Sequence, residues 1–370
     1  MISTRPLCAF LAALCVEVAL SARDVEPKSR GHVLGFGDTL RHLNPRFRVV
    51  ADLGTFTWHT NCSVTKSPKS RLGQGDVAME ELRCGLGAVG GSPQEWQLPE
   101  AFLAQVVAVD DVRARLPINF FRSKPVGFTN RLPYEAPPVA PLFVASRAFD
   151  LSQVEFYIDA AALYTLATGV FEGKSFTVQR WRNIVMILNS GFRSYHLTHK
   201  GFQFERLVTR GSLGSFTFKE PRFHHIHVLR LGGLTVLATG EVYALDEEQG
   251  LTELKAVANP NWKRIMLQMV ASGSEGVLHG ASERNTLGGI DVYTLRQLIG
   301  GFTLGERARM AANITGALET IRDLVGSESS PSALGAWDAG GAPTLSPPLD
   351  SAHTLLPSAD VLEELFPSSA

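Results

Sequence analysis

The sequence predicts an α/β (α+β) protein, a single domain in which helices flank a mixed β-sheet. Two segments, 234–239 (LTVLAT) and 251–257 (LTELKAV), are rich in the apolar and β-branched residues that favour strands. Helical periodicity follows in 262–271 and again in 304–325, the closing amphipathic helix. With 45% hydrophobic and 19% charged residues among 370, the chain can build a packed core and is not globally disordered.

Charge and cysteine content exclude several classes of protein. The net charge is −1, so the chain lacks the basic footprint of a large nucleic-acid surface, although a local binding cleft remains compatible with it. Cys8 and Cys15 lie near the N-terminus, which leaves Cys62 and Cys84 in the body of the chain, without a Cys-x-x-Cys pair. A disulfide framework and a zinc ribbon are therefore not expected.

Both ends of the chain differ in composition from 31–325, which we predict to be the folded domain. Residues 1–22 contain an apolar run followed by small residues, the pattern of a secretory leader or of a partly buried N-terminal segment. The run is too short for a transmembrane helix, so no stable membrane insertion is expected. Residues 326–370 are rich in Ser, Pro, Ala and Gly, which predicts a disordered tail.

The first part of the domain contains one strand and two loops. Residues 47–58 (FRVVADLGTFTW) alternate as a strand does. The segment 85–90 (GLGAVG) matches a dinucleotide-binding fingerprint in its letters, but a helix-like stretch precedes it and Pro93 stops a following helix. We interpret it as a glycine-rich loop. Residues 116–141 are rich in proline and aromatics and are expected to run extended.

Two helices are predicted in the middle of the chain. The first spans 152–166, with Ser152 as N-cap and Glu155 completing a capping box. The second spans 200–210 (KGFQFERLVTR) and carries Glu205 between aromatic and aliphatic residues. Taken alone, Glu205 is an ordinary carboxylate on a helix face.

Two further segments carry side chains that can bind ligands. Residues 176–188 contain Trp181 between two arginines, which suits a phosphate-facing position or the solvent side of a surface helix, and this segment alone favours solvent. His225 and His227 share one face of the next strand, but no third zinc ligand is evident, so a metal is not expected there. Residues 290–295 predict a last strand.

The central feature of the sequence is a predicted hairpin formed by 234–239 and 251–257 across a short polar loop. Alternation places Glu241 with Tyr243 on one face and Glu253 with Lys255 on one face. Charged side chains inside a strand are costly unless they are paired or hold a metal. The second strand is therefore either a solvated edge strand or part of a metal site.

The order of four motifs resembles the DXO-type decapping exoribonucleases, whose nuclease core has an acidic residue followed by a Glu-x-Lys strand. The resemblance covers roughly residues 47–300. The motifs are Trp181-Arg182, the Gly-Phe-Gln-Phe-Glu that ends at Glu205, the Gly-Glu-Val-Tyr around Glu241, and Glu253-Leu254-Lys255, with Gln268 on the following helix.

This resemblance implies a divalent cation, Mg²⁺ or Mn²⁺, bound by Glu205, Glu253 and the backbone carbonyl of Leu254. Lys255 would orient the attacking water and offset charge on the scissile phosphate. The resemblance also implies that Arg182 and Lys255 face the same cleft. The implied catalytic residues are Glu241, Glu253 and Lys255, and the implied substrate-binding residues are Trp181, Arg182, Asn183, Glu241, Lys255 and Gln268.

The implied function is hydrolysis of phosphodiesters at RNA 5′ ends, with removal of incomplete or non-standard caps, or 5′→3′ degradation. By the same resemblance the protein would act in mRNA quality control in the nucleus or nucleocytoplasm. The alternative is a catalytically weakened member of the family that binds RNA ends or a partner 5′→3′ exoribonuclease as a scaffold. A true leader at 1–22 would instead give a secreted or organellar protein.

At one metal-ligand position the chain departs from the family pattern. The family carries an aspartate ligand two residues after the glutamate, and this chain has Tyr243 in that position. A phenol with a pKa near 10 is a poor Mg²⁺ ligand at neutral pH. Asp246 is close in sequence, but strand alternation turns it to the other face unless the strand bulges. Weakened or lost catalysis therefore stays open.

Overall fold

A computed structural model of the chain describes residues 35–58, 109–120, 138–171, 174–189, 200–210, 222–246, 250–325, 330–338, 341–348, 355–356 and 359–366. Within them the chain forms one sheet of eight strands and one of five, with helices packed against both. The predicted α/β (α+β) class with mixed sheets is confirmed. The predicted leader at 1–22 and the glycine-rich loop at 85–90 lie outside the described residues.

The strands have the following bounds in chain order: β1 (Phe47–Trp58), β2 (Ile118–Asn119), β3 (Phe156–Asp159), β4 (Phe176–Trp181), β5 (Ile184–Asn189), β6 (Arg222–Leu231), β7 (Leu234–Val242), β8 (Ala244–Leu245), β9 (Leu251–Val257), β10 (Gly276–Glu283), β11 (Thr286–Thr294), β12 (Ser332–Gly335) and β13 (Thr344–Pro348). The larger sheet has the order β1-β6-β7-β3-β5-β4-β12-β13, and the smaller sheet has the order β2-β11-β10-β9-β8. Strands β7, β3 and β5 run parallel at the centre of the larger sheet, and β9 runs parallel to β10 in the smaller one.

The helices have the following bounds: α1 (Phe36–Leu43), α2 (Val109–Arg113), α3 (Val139–Ala145), α4 (Ala160–Thr168), α5 (Lys200–Arg210), α6 (Trp262–Ser272), α7 (Leu295–Gly300), α8 (Leu304–Val325) and α9 (Ala359–Leu365). The helices predicted at 200–210, 262–271 and 304–325 are thereby confirmed. Local signals explain several helix starts, because Asn261 caps α6 and Thr294 forms a capping box with Gln297 at α7. Of the described helices, none has the length and hydropathy to cross a membrane.

The predicted hairpin between 234–239 and 251–257 is wrong. Strand β7 belongs to the larger sheet, where it pairs with β6 and β3. Strand β9 belongs to the smaller sheet and returns against the two-residue β8. The chain passes from one sheet to the other at Tyr243, and local composition carries no information on which sheet a strand joins.

The helix predicted over 152–166 is wrong in its first half. Residues Leu151–Gln153 form a short 3-10 turn and β3 follows, buried between β5 and β7. Asp159 is the N-cap of α4, because its Oδ1 accepts from Ala162 N at 2.7 Å. Glu155 instead accepts from Thr235 N at 2.8 Å. Burial on both faces of the sheet outweighs the helical propensity of this segment.

Two predictions about the middle of the chain also fail. Residues 176–188 are not a surface helix: β4 and β5 form a hairpin whose two-residue turn is Arg182–Asn183. The extended run expected over 116–141 ends in α3, which begins at Val139. Residues 121–137 lie outside the described residues.

The prediction that 326–370 is a disordered tail is wrong for its described parts. Strand β12 pairs with β4 and extends the larger sheet, and β13 pairs with β12. Leu355 and Phe366, beside α9, are 5% and 6% exposed and belong to the core that contains Trp181. The average composition of this segment is polar, but a few of its residues are apolar and become buried in the core.

Candidate functional site

Three of the predicted site residues, together with Tyr243, meet where the chain passes from β7 to β9. Tyr243 Oη donates to Glu241 Oε2 at 3.3 Å. Lys255 Nζ lies 3.0 Å from Glu253 Oε1 and 5.7 Å from the centroid of the Tyr243 ring. The structure therefore brings Glu241, Tyr243, Glu253 and Lys255 into one cluster between the two sheets.

The charges of this cluster are strongly coupled. Glu253 is 3% exposed, and this burial raises the pKa of its carboxyl above the ordinary value. The neighbouring ammonium of Lys255 lowers that pKa, while the Glu241 carboxylate raises it. An additional cation beside Glu253 would favour its ionised form, since an adjacent positive charge stabilises a carboxylate.

The backbone of Leu254 lies on a part of the β9 edge that no described strand covers, which we call the open edge. Strand β8 is the only described strand on this edge, and it covers residues 251–252 alone. The carbonyl of Leu251 points to the other side, because it accepts from Glu275 N at 2.9 Å. Carbonyls alternate sides along a strand, so the carbonyl of Leu254 points to the open edge. Leu254 N faces the same edge and donates to Glu253 Oε1 at 3.2 Å.

Helix α5, which carries Glu205, packs on the Leu254 face of the smaller sheet. Phe204 and Leu207 of this helix share a core with Leu254. Gly280 allows the close approach, because a Cβ at this position would lie 2.7 Å from Phe204 Cε2. Strand alternation turns the side chain of Glu253 to the opposite face of β9, and its carboxylate reaches back to accept from Leu254 N.

The donor set fits a hard divalent cation in its chemistry. Glu205 and Glu253 supply carboxylate oxygens and Leu254 supplies a carbonyl oxygen, which are the ligand types of Mg²⁺ and Mn²⁺. Among the described residues, no three side chains of His, Cys, Asp or Glu converge on a metal site. Two carboxylates and a carbonyl would leave positions for water and phosphate, as Mg²⁺ usually requires.

Asp246 has a structural role in the turn between β8 and β9. Its Oδ1 accepts from Gly250 N at 2.8 Å, and its backbone N donates to Gly250 O at 3.0 Å. This carboxylate oxygen closes the turn that returns the chain into β9. Asp246 therefore shapes the strand that carries Glu253, and Tyr243 provides the hydroxyl beside Glu241.

Gln268 lies on α6, which packs behind the end of β7. Four residues later on the same helix face, Ser272 contacts Gly240, the neighbour of Glu241. A Cβ at Gly240 would lie 2.6 Å from Ser272 Cβ. The structure thus holds the helix of Gln268 closely against the strand end that carries Glu241.

Trp181, Arg182 and Asn183 lie far from this cluster, so the expectation that Arg182 and Lys255 face one cleft is wrong. Val185 of β5 and Val236 of β7 both pair with the same residue of β3, so they lie at the same height in the sheet. Glu241 is five residues further along the parallel strand β7. Five residues span about 16 Å in a strand, and Arg182 precedes β5 at the opposite end. The distance between Arg182 and Glu241 depends on the direction in which β5 and β7 run, and the sequence pattern does not predict that direction.

Sheet register adds neighbours that the sequence did not indicate. His224 pairs directly with Glu241 across β6 and β7, and its ring stacks on Phe56 with centroids 5.2 Å apart. His279 of β10 lies level with Lys255 on one side and with Asp291 on the other. Only the pairing of strands reveals these contacts, because each residue is isolated in sequence.

His225 and His227 share one face of β6, as predicted, and lie on the opposite face from Glu241. Their Nδ1 atoms are 3.2 Å apart, and His225 Nε2 donates to Asp52 Oδ1 at 2.9 Å. The hydrogen bond to His225 lowers the pKa of Asp52 to about 2, and burial lowers the pKa of His227 to about 3. The pair forms a buried hydrogen-bonded network.

No protein-family model and no curated protein matches the chain. Among solved structures, the chain matches Candida albicans Rai1 in complex with pU5-Mn²⁺ with a TM-score of 0.51 and 10% identity, over 92% of this chain and 97% of that chain. S. pombe Rai1 matches with a TM-score of 0.47 and 14% identity, over 66% and 86% of the two chains. K. lactis Dxo1 in complex with manganese matches with a TM-score of 0.42 and 11% identity, over 55% and 68%. The resemblance to DXO-type nucleases is thereby confirmed at the level of the fold.

Proposed function

We propose that this protein is a divalent-metal-dependent phosphodiester hydrolase that acts on RNA 5′ ends. The observation that carries the proposal is the open edge of β9, where Glu253 bonds the amide of Leu254 and lies 3.0 Å from Lys255. A buried carboxylate, an outward carbonyl and an ammonium group are what the binding of a cation and a phosphate requires. The fold shared with Candida albicans Rai1, solved with pU5-Mn²⁺, supports RNA and Mn²⁺ as first ligands to test.

In this proposal Glu205, Glu253 and the carbonyl of Leu254 hold the cation at the open edge. A divalent cation bound there would stabilise negative charge on the phosphate and lower the pKa of a bound water. The packing of Phe204 and Leu207 against Leu254 supports the participation of Glu205, because it holds the helix of Glu205 on β9. The raised pKa of Glu253 supports it as well, since a cation would return this carboxyl to its charged form.

Lys255 holds the scissile phosphate in this proposal. Its ammonium is paired with the Glu253 carboxylate. If the cation bound this carboxylate, the ammonium would be available to bind a non-bridging oxygen of the phosphate. Glu241 lines the substrate beside it, with one oxygen held by Tyr243. We assign Gln268 to the substrate from the resemblance to DXO-type enzymes, and its helix packs against Gly240, the neighbour of Glu241.

The finer assignments follow from the resemblance to DXO-type enzymes. We infer removal of incomplete or non-standard caps, or 5′→3′ degradation, in nuclear or nucleocytoplasmic mRNA quality control. Tagged proteins with and without residues 1–22 would test the location. A secretory or organellar signal that is lost on deletion of 1–22 would contradict a nuclear role.

The activity is tested with Mg²⁺ and Mn²⁺ on RNAs that carry a 5′-monophosphate, a 5′-triphosphate or an incomplete cap. We expect metal-dependent release of the 5′ group or of nucleotides, and its loss in Lys255→Ala. Lys263→Ala is the matched control, because Lys263 lies on α6 near the Phe302 ring, 6.0 Å from its centroid. Full activity of Lys255→Ala on every RNA would contradict the assigned role.

The cation site is tested without turnover. We expect Mn²⁺ to raise the melting temperature of the wild-type protein, because a ligand that binds only the folded state stabilises it. Glu253→Gln removes a charged ligand and should abolish this shift, although it retains the shape of the side chain. An equal shift in both proteins would place the cation elsewhere.

A second candidate function is RNA-end binding or scaffolding of a partner 5′→3′ exoribonuclease without efficient catalysis. The observation that favours it is Tyr243, which supplies a hydroxyl where the family has a charged ligand. Tight binding of 5′-phosphorylated RNA with no cleavage in either metal would support this function over the hydrolase.

A further inference from the structure

A cavity of about 410 Å³ lies where the β4–β5 turn meets α9. It is at the end of the larger sheet opposite to Glu241, and it plays no part in the proposed hydrolase. Its walls include the half-buried side chains of Phe149 and Leu151, together with Trp181 and Phe366. This volume lies within the range of small-molecule sites.

Two arginines on the rim of the cavity are held by aromatic rings. The guanidinium of Arg182 lies 4.8 Å from the Trp181 ring centroid, and its Nη2 donates to Phe366 O at 3.0 Å. The guanidinium of Arg147 lies 4.7 Å from the ring centroid of Phe143. Arg147 and Arg182 are both exposed. Stacking limits the motion of each group, so less entropy is lost when the remaining N–H groups bind an anion.

An acidic side chain stands on the same rim. Asp150 Oδ1 accepts from Ser152 N at 2.9 Å, and Oδ2 accepts from Gln153 Nε2 at 3.2 Å. Hydrogen bonds from the side chain and backbone of Ser152 and from Gln153 lower the pKa of Asp150, which is already charged at neutral pH at its ordinary value. A carboxylate beside two arginines disfavours a simple inorganic anion and favours a ligand that also has hydroxyl donors, as carboxylates accept from ribose in nucleotide sites.

We propose that this cavity binds a nucleoside monophosphate, either free or as the terminal nucleotide of an RNA. The phosphate would bind to Arg147 and Arg182, a ribose hydroxyl would donate to Asp150, and the base would pack on Phe149 and Leu151. Arginine forks match the oxygens of a phosphate, and planar bases pack favourably on apolar and aromatic side chains.

Backbone strain at Arg182 does not by itself indicate function. Its φ of +54° in the two-residue turn is a conformation that favours glycine, yet Arg284 has a φ of +52° in the turn between β10 and β11. Both turns contain Arg-Asn, and Arg284 is exposed and does not line the cavity. The cavity and the aromatic contacts distinguish Arg182, and Arg284 provides a control with the same backbone.

The test is calorimetric titration of the full chain with 5′-AMP, adenosine and inorganic phosphate in the presence of EDTA. We expect 5′-AMP to bind at least tenfold more tightly than adenosine or phosphate. Arg182→Gly should keep the turn, since glycine suits the positive φ, and weaken 5′-AMP binding at least tenfold. Arg284→Gly and Glu253→Gln should leave the affinity for 5′-AMP unchanged.

Three outcomes would overturn the proposal: no binding of 5′-AMP at millimolar concentration, equal affinity for phosphate and 5′-AMP, or unchanged affinity in Arg182→Gly. Arg147→Gln is a second variant on an exposed side chain, so it tests the site even where Arg182→Gly disturbs α9. A loss of binding in Glu253→Gln would assign the nucleotide to the β9 edge instead. A 5′-phosphorylated oligonucleotide that competes with 5′-AMP would identify RNA as the source of the nucleotide.

Discussion

Single residues decide the charge of the β9 edge. Glu253 is buried with a raised pKa, Lys255 offsets it at 3.0 Å, and Tyr243 contributes a hydrogen bond to Glu241 without adding charge. Glu241, Glu253 and Lys255 together carry one net negative charge when all are ionised. A divalent cation bound here would gain from one more carboxylate, because each added negative charge attracts it directly.

Tyr243→Asp should therefore tighten Mn²⁺ binding by about tenfold. Residues that support metal ligands change metal affinity by at least about this factor, and a new carboxylate also attracts the cation directly. Isothermal titration with Mn²⁺ measures the change. Tyr243→Phe is the control, because it removes the hydroxyl that bonds Glu241 but keeps the ring beside Lys255. If Tyr243→Asp left metal affinity unchanged and weakened RNA binding, Tyr243 would act by stacking on a base.

The buried pair of His225 and His227 should make the free energy of unfolding depend on pH. His227 has a pKa of about 3 in the folded protein and an ordinary value of 6.5, so the unfolded state binds the proton first as the pH falls. The contribution of His227 to the free energy of unfolding is therefore complete well above pH 6.5. It should fall by about 2 kcal/mol between pH 7.5 and pH 5. Asp52, with a pKa of about 2, adds a further loss below pH 4.

Urea unfolding at pH 7.5 and pH 5 measures this loss. His227→Phe keeps a planar ring of similar size in the pocket and should reduce the difference between the two pH values. His42→Gln is the control, because His42 is exposed on α1. A difference that is the same in wild type and His227→Phe would assign the pH dependence to other groups.

At the scale of elements, glycines set how closely helices approach the sheets behind the site. Gly240 of β7 lies against Ser272 of α6, and Gly273 follows at the end of that helix with a φ of +72°. A Cβ at Gly273 would lie 2.5 Å from His225 Nδ1. Because α6 connects β9 to β10, its distance from β7 also sets the distance between the two sheets.

Gly240→Ala should destabilise the protein and disturb the site. The new Cβ would lie 2.8 Å from Ser272 Cα, a backbone atom, so α6 must move rather than a side chain. Overpacking of this kind costs about 1–3 kcal/mol. Chemical unfolding measures the cost, and Gly233→Ala is the control, because nothing lies within 4 Å of a Cβ there. Equal stability of the two variants would mean that α6 shifts freely.

At the scale of the whole molecule, the larger sheet has a hydrophobic core on each face. One core includes side chains of α4, α6 and α8, and the other includes side chains of α3 and the C-terminal segment. The second core is closed by residues far apart in sequence, since Leu355 N donates to Gln179 Oε1 at 2.7 Å. The C-terminal segment is therefore part of the fold.

Phe366→Ala should lower the free energy of unfolding by about 3 kcal/mol, as expected for a buried phenylalanine. Its ring is 6% exposed, with its centroid 4.6 Å from that of Trp181. Urea unfolding measures the change. Leu324→Ala is the control, because Leu324 is 52% exposed and should cost less than about 0.5 kcal/mol. A Phe366→Ala variant as stable as the wild type would show that the C-terminal segment is dispensable.

The sequence by itself determined the fold class and the helices α5, α6 and α8, and it marked Glu241, Glu253 and Lys255 as charged residues within apolar strands. These features depend on short-range patterns: helical periodicity, strand alternation and the cost of placing charges inside an apolar strand. Such patterns act within a few residues, so they can be recognised along the chain. The fold-level resemblance was found in the same way, from the order of the motifs.

Only the tertiary structure decided which strands pair and therefore which residues meet. It separated β7 from β9, placed Arg182 at the far end of the larger sheet and brought residues beyond 325 into the core. It also set His279 beside Lys255 and placed Leu254 beyond the two residues of β9 that pair with β8. The physical reason is that burial and backbone pairing are satisfied over the whole molecule, between segments whose local patterns do not specify their partners.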